Sequence, residues 1–185
     1  DECFAYGELY PETFISIYSK ITAAYGQRER RAVFFDLGCG VGNLVYTAAF
    51  IGNFYKVGGI DFIQGLVDRG EKRMPRWTRL SQAFPKSIRR IKFVWETDNF
   101  LENPSPWSDA TLILLHWTAF NKEQLLLAGD IMAQCREGTI VISFTNPIPN
   151  TDFEILIKDT CEVSWGNNVV FYIQEKLTPR KSNGG

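Results

Sequence analysis

The chain has 185 residues, 45% of them hydrophobic, and a net charge of −1 at pH 7. Those numbers suit one packed domain and exclude a disordered chain. They also exclude a global basic field of the kind that advertises nucleic acid.

Pro11 to about Tyr25 carries apolar residues at helical spacing, with Pro11 at its start and Gly26 just after it. Val33 to Leu37 reads as a short strand of a buried parallel sheet. Asn43 to Ile51 follows as a helix ended by Gly52, and Tyr55 to Ile60 as a second strand closed by Asp61. Phe62 to about Arg73 is a helix that Pro75 breaks or kinks. Ile91 to Trp95 is a third strand and Thr111 to Leu115 a fourth. Asn121 is a good helix N-cap, with Gln124 placed to complete a capping box. That helix runs to about Cys135, Gly138 ends it, and Thr139 to Phe144 is a fifth strand. The alternation then stops. Phe153 to Val163 and Val169 to Gln174 read as a hairpin joined by Trp165-Gly166-Asn167-Asn168. Ser182 to Gly185 reads as a frayed tail.

Other features bound the function. Basic clusters occur at Arg28, Arg30 and Arg31, at Lys72, Arg73, Arg76 and Arg79, and at Lys86, Arg89, Arg90 and Lys92; such runs usually face water. Four cysteines, at 3, 39, 135 and 161, form no C-x-x-C, and the chain has one histidine, so neither a zinc site nor a disulfide framework is expected. No apolar run reaches transmembrane length and no signal-peptide pattern opens the chain. It begins at Asp1 as an excerpt of a longer protein would.

The stretch Asp36-Leu37-Gly38-Cys39-Gly40-Val41-Gly42-Asn43 sits between the first strand and its helix. In a parallel sheet such turns bind ligands at the carboxyl edge. A dinucleotide loop would want G-x-G-x-x-G, but Asn43 occupies the last glycine position. A carboxylate at Asp36 would repel a pyrophosphate and suits a cationic ligand carrying an ammonium and a sulfonium. Asp61, at the end of the next strand, is placed to accept hydrogen bonds from ribose hydroxyls. Strands alternating with helices and closed by a hairpin match, by analogy, a class I S-adenosylmethionine-dependent methyltransferase. That is an α/β fold with a Rossmann-like, mostly parallel sheet and a C-terminal antiparallel hairpin.

The chain resembles the catalytic domain of the disruptor-of-telomeric-silencing (DOT1-like) histone H3 lysine methyltransferases. Tyr6-Gly7-Glu8 is similar to the family's Y-G-E element, and Asp36 to Asn43 to its D-L-G-S-G-V-G-Q. Gly59-Ile60-Asp61 resembles G-V-E, Asn99-Phe100-Leu101 resembles G-D-F-L, and Trp165 through Tyr172 resembles W-T-G-x-x-V-x-Y-Y. The resemblance divides the chain into an entry segment (1–30) with the Tyr-Gly-Glu element, a methyltransferase domain (31–178) and a tail (179–185). It implies S-adenosyl-L-methionine as methyl donor, S-adenosyl-L-homocysteine as product, and a lysine in the globular core of nucleosomal histone H3 as target. The nucleus is then the place of work and a monomer the default state, with no membrane. Donor contacts fall on Tyr6, Glu8, Asp36, Gly38, Gly40, Gly42, Asn43 and Asp61, with Asp98, Asn99 and Phe100 at the adenine. Trp165, Phe171, Trp117 and Tyr6 are the candidates for the catalytic lysine channel.

Departures gather around that channel. The family's N-N-F-A-F appears as His116-Trp117-Thr118-Ala119-Phe120, Leu9 replaces a threonine, Phe171 replaces a tyrosine, and the adenine acid is displaced to Asp98. A basic nucleosome-binding extension is not evident, which leaves contact with nucleosomal DNA open. The N/D-P-P-Y/F motif of base-modifying enzymes is missing at 116–119, which disfavours a flipped base. His116 has two readings, a general base or a hydrogen-bonded structural histidine. An apolar channel beside a sulfonium would lower a lysine pKa from about 10.4 toward neutrality, a shift costing roughly 4–5 kcal/mol. Alternatives at this point are a methyltransferase for a non-histone protein or small molecule, and a non-catalytic donor-binding domain.

Overall fold

A computed structural model describes residues 7–26, 32–51 and 53–178. Tyr6, Cys3, the Arg28–Arg31 cluster, Gly52 and the 179–185 tail lie outside the described residues.

Helix α1 (Pro11–Tyr25) places Pro11 at its start, where a missing N–H costs nothing, and buries Phe14, Ile17 and Ile21. Strand β1 (Ala32–Leu37) is buried on both faces, as its unbroken apolar run requires. Helix α2 (Asn43–Ile51) and strand β2 (Phe54–Asp61) complete the first unit. The helix expected from Phe62 to Arg73 is shorter, α3 (Gln64–Glu71), and Pro75 opens α4 (Met74–Ser81) instead of kinking one helix. A single-turn helix, α5 (Lys86–Arg89), was not foreseen, because four residues are too few for a periodic signal.

Strands β3 (Lys92–Thr97), β4 (Leu112–Leu115) and β5 (Ile140–Phe144) follow, with α6 (Lys122–Met132) before β5. Asn121 accepts from the Gln124 amide, and the Gln124 side chain accepts from the Asn121 amide, so the capping box is present. The closing pair is β6 (Phe153–Val163) and β7 (Gly166–Lys176).

The sheet order is β3-β2-β1-β4-β5-β7-β6. Strands β1 to β5 pair in parallel, and β7 pairs antiparallel with β5 and β6. This is the fold class the sequence predicts. The expected hairpin loop at 165–168 is corrected. Val163 already pairs with Gly166, so the turn is Ser164-Trp165 alone. Between that pair and Cys161–Val169, β7 carries one residue more than β6, and Asn168 takes φ 59° to absorb it. Among the described residues no helix is long and apolar enough to cross a membrane.

Candidate active site

A cavity of about 510 Å³ opens at the carboxyl edge of the parallel strands, the usual ligand position in such sheets and within the usual size for one small molecule. Five backbone segments line it: Gly7–Leu9, the glycine loop with the start of α2, the end of β2 with Phe62, Ile63 and Leu66, the stretch His116–Asn121 with Gln124 of α6, and Trp165.

Gly38, Gly40 and Gly42 all take positive φ (89°, 53° and 72°). Gly38 and Gly40 line the cavity, but Gly42 does not. A Cβ on Gly42 would lie 2.4 Å from the Trp95 ring, so this glycine serves the close packing of the loop on β3. Asn43, which opens α2, does face the cavity. Its side-chain Oδ1 accepts from Arg73 Nη1 at 2.8 Å, which turns its Nδ2 toward Glu8 Oε2 at 3.5 Å.

Two acids stand on the floor. Asp61 ends β2, and its carboxylate accepts from the backbone amides of Gly40 and Ile63, each at 2.9 Å. These bonds tie the glycine loop to the next βα turn and leave each oxygen capacity for another donor. Asp36, at 1% exposure, is more deeply buried. Among the described residues its Oδ1 has no hydrogen-bond partner. His116 Nε2 lies 3.5 Å from that oxygen, outside hydrogen-bond geometry. Burial, then the charge of Asp61, pushes the Asp36 carboxyl up to about 8. Burial lowers His116 to about 4, so its imidazole is neutral near pH 7. Burial, reinforced by both acids, also raises the Cys39 thiol, which keeps it protonated.

An orphaned, buried carboxylate oxygen is costly unless something satisfies it. The ammonium of a cationic amino-acid ligand fits that oxygen, and among the described residues no lysine or arginine lines the cavity to compete. The residues therefore fit S-adenosylmethionine: Asp36 for the ammonium, Asp61 for ribose hydroxyls, and Phe62, Ile63, Leu66 and Phe120 for a flat apolar ring. Among the described residues no cluster of His, Cys, Asp or Glu could hold a metal.

Trp165 sits at the hairpin turn, half-buried, with its edge toward Phe144 (centroids 6.1 Å) and His116 (6.5 Å). A Cβ on Gly7 would meet Trp165 Cε3 at 2.3 Å, so only glycine lets the segment lie on the indole. Next to it, Glu8 N donates to Ser164 Oγ at 2.7 Å and Ser164 N donates to the Glu8 carbonyl at 3.1 Å. The segment is thus fastened across the cavity rim by the hairpin. Trp117 lines the cavity at 1% exposure and donates from Nε1 to the Asn146 carbonyl.

Several expected site residues lie elsewhere. Phe171 is buried in the core beneath α1, beside Phe144 and under Lys20, and not in the cavity wall. The short turn ends the channel side of the hairpin at Trp165, and Phe171 falls deep in β7 opposite Phe144. Asp98 and Asn99 are also outside the wall. Asp98 accepts from the Asn99 amide and Asn103 Nδ2, while Asn99 bonds Leu101 N and Glu102. These bonds turn both side chains toward their own loop and away from the cavity. Phe100 stands behind the wall, stacked on Phe120 at 6.3 Å and 7°. Phe62 and Phe120 take up the apolar wall that the sequence reading assigned to Phe100. The register of Ala119-Phe120 after β4 was a signal for the second of them; no signal marked Phe62.

The fold is shared with methyltransferases of known structure. The methyltransferase domain of bacterial CtHen1 superposes with a TM-score of 0.64 at 12% identity, covering 90% of this chain and 98% of that one. The rRNA methyltransferase AviRa from Streptomyces viridochromogenes gives 0.64 at 10% identity, covering 94% and 88%. Magnesium protoporphyrin IX methyltransferase from Synechocystis, solved with bound S-adenosylmethionine, gives 0.59 at 12% identity, covering 89% and 79%. No curated protein matches the sequence. The family model of the histone methylation protein DOT1 matches residues 2–164, a span that takes in the glycine loop, both floor acids and the His116–Phe120 wall. The chain belongs to the DOT1 histone methylation protein family.

Proposed function

We propose that the protein transfers methyl groups from S-adenosyl-L-methionine to a lysine in the globular core of histone H3 within nucleosomes, and so works in the nucleus. The single observation that carries the donor assignment is the buried, unpartnered Oδ1 of Asp36 on the cavity floor. The target assignment rests on membership of the histone methylation family.

Bound in the cavity, the donor supplies a methyl group already activated on a sulfonium. This chain's residues then have three tasks. Asp36 holds the ammonium of the donor by charge and Asp61 its ribose by hydrogen bonds. Gly7–Leu9, Trp165, His116 and Trp117 exclude water from the floor, which favours the neutral form of an entering lysine. The same walls hold the amine in line with the reacting carbon. Neutral His116, held near 4, is too weak a base to keep the lysine's proton, so that proton leaves to solvent through the mouth. The indole of Trp165 would also attract a partly methylated ammonium, by about 0.5–2 kcal/mol.

The test is incubation with isotopically labelled donor and either reconstituted nucleosomes or free histones, followed by mass spectrometry. Label on a histone H3 core lysine is the expected result. Label on another protein alone, or none with donor binding intact, contradicts the proposal.

A further inference from the structure

We infer that the face built by α3, α4, α5 and the start of β3 docks on the phosphate backbone of duplex DNA. From Arg69 to Lys92 the chain carries nine arginines and lysines against one carboxylate, Glu71, in a protein of net charge −1. Six of the nine are arginines, whose planar guanidinium matches phosphate geometry.

The structure turns this run outward. Trp77 anchors α4 inward, edge-on to Phe93 of β3 at 5.0 Å and against Phe50 at 4.5 Å. Arg69, Lys72, Arg76 and Arg79 are left exposed on α3, α4 and the turn between them. Lys86, Arg89, Arg90 and Lys92 extend the exposed charge through α5 to the edge strand. Among the described residues none of these eight makes an ion pair or hydrogen bond from its side chain. The preceding acid, Asp68, is engaged by Gln64 Nε2. The ninth cation, Arg73, is turned inward to Asn43 on the cavity wall, which joins the basic face to the catalytic edge of the sheet.

A surface of eight unpaired, like charges repels itself and gains most from a dense polyanion. Duplex DNA offers one charge per about 1.7 Å of axis. An acidic peptide, with carboxylates irregularly placed, gives the guanidinium groups a poorer match. The choice of DNA over other polyanions rests on the nucleosomal substrate proposed above, since DNA surrounds that substrate. The face would position the enzyme on chromatin and takes no part in the chemistry.

The test uses fluorescence anisotropy of a labelled 20-base-pair DNA duplex with the whole chain, at two salt concentrations. If about five phosphates are neutralised, log K falls with log salt at a slope near −4.5, so a fourfold rise in salt weakens binding by about 500-fold. Arg76→Glu/Arg79→Glu and, separately, Lys86→Glu/Arg89→Glu should each lose at least about tenfold in DNA affinity and flatten the slope by about 2. Both should keep wild-type donor affinity, which shows them folded. Lys122→Glu, an exposed lysine on α6, should bind DNA as the wild type does. Three results would overturn the inference: no salt-dependent binding, variants that bind as wild type, or polyglutamate binding as tightly as DNA. Tighter binding to duplex RNA than to DNA would also overturn it. Naked DNA binding needs neither donor nor histone. Failure here with transfer to histone H3 intact sinks the docking face alone, and DNA binding without transfer sinks the proposed activity alone.

Discussion

His116 Nε2 stands 3.5 Å from Asp36 Oδ1 at the cavity floor, and burial keeps both side chains uncharged over a wide pH range. Burial holds the carboxyl protonated up to about 8 and the imidazole neutral down to about 4. Each departs from its ordinary value in the direction that avoids a buried charge.

Stability without donor should therefore depend on pH in a definite window. Raising the Asp36 value from 3.8 to about 8 makes the folded state bind a proton that the unfolded state lacks, so stability falls as pH rises across that range. Lowering His116 from 6.5 to about 4 has the opposite effect below 6.5. The two cancel from about 4 to 6.5, and from about 6.5 to 8 the Asp36 effect stands alone, worth roughly 2 kcal/mol. Thermal melts should fall across that upper window in the wild type. In Asp36→Asn they should rise from pH 4 to 6.5 and then level off.

Asp61→Ala should damage two properties together. It removes the proposed acceptor for ribose hydroxyls, which should cost roughly 1.5–3 kcal/mol of donor binding. It also strands the amides of Gly40 and Ile63, costing about 1–3 kcal/mol of stability. Calorimetry with melting curves separates the two. An unchanged melting point with unchanged donor affinity would remove Asp61 from both roles.

Trp165→Ala opens the rim. Methyl transfer should fall at least about tenfold, equivalent to about 1.4 kcal/mol of barrier, while donor affinity stays within a few-fold because Asp36 and Asp61 remain. A folded variant with full transfer activity would refute a channel role for the indole.

Gly7→Ala should displace the same indole from the other side. Its Cβ meets the Trp165 ring at 2.3 Å, and the ring is hemmed in by His116 and Phe144. A stability loss of about 1–3 kcal/mol is expected, with a shift in tryptophan fluorescence. A wild-type melting curve would show the contact to be soft.

The parts of this molecule legible in the sequence are those with a period or a punctuation mark. The apolar run at Val33–Leu37, the capping box at Asn121 and Gln124, and acids at the ends of β1 and β2 each carry a local physical signal. The hairpin's extent was legible and its turn was not. Asn167-Asn168 has turn chemistry, but the pair is spent on a bulge one step inside β7. Phe171 was a wall candidate through the family resemblance alone; its place in β7, opposite Phe144 of β5, makes it core. Phe62 follows Asp61 on a loop, where no periodicity marks a side chain as facing a ligand. Asp98 looked free for adenine because its engagement by Asn99 and Asn103 is a property of the loop's folded shape.

The claim that a cationic methyl donor is held at the buried acids is tested most directly by calorimetric titration of S-adenosylmethionine at pH 7 in two buffers of different ionisation enthalpy. A carboxyl held near 8 is mostly protonated at that pH and must ionise to receive an ammonium. The expected result is one donor per chain with release of close to one proton, and in Asp36→Asn an affinity at least about tenfold weaker with no proton released. Binding of equal strength in Asp36→Asn, or no binding to the wild type, would contradict it.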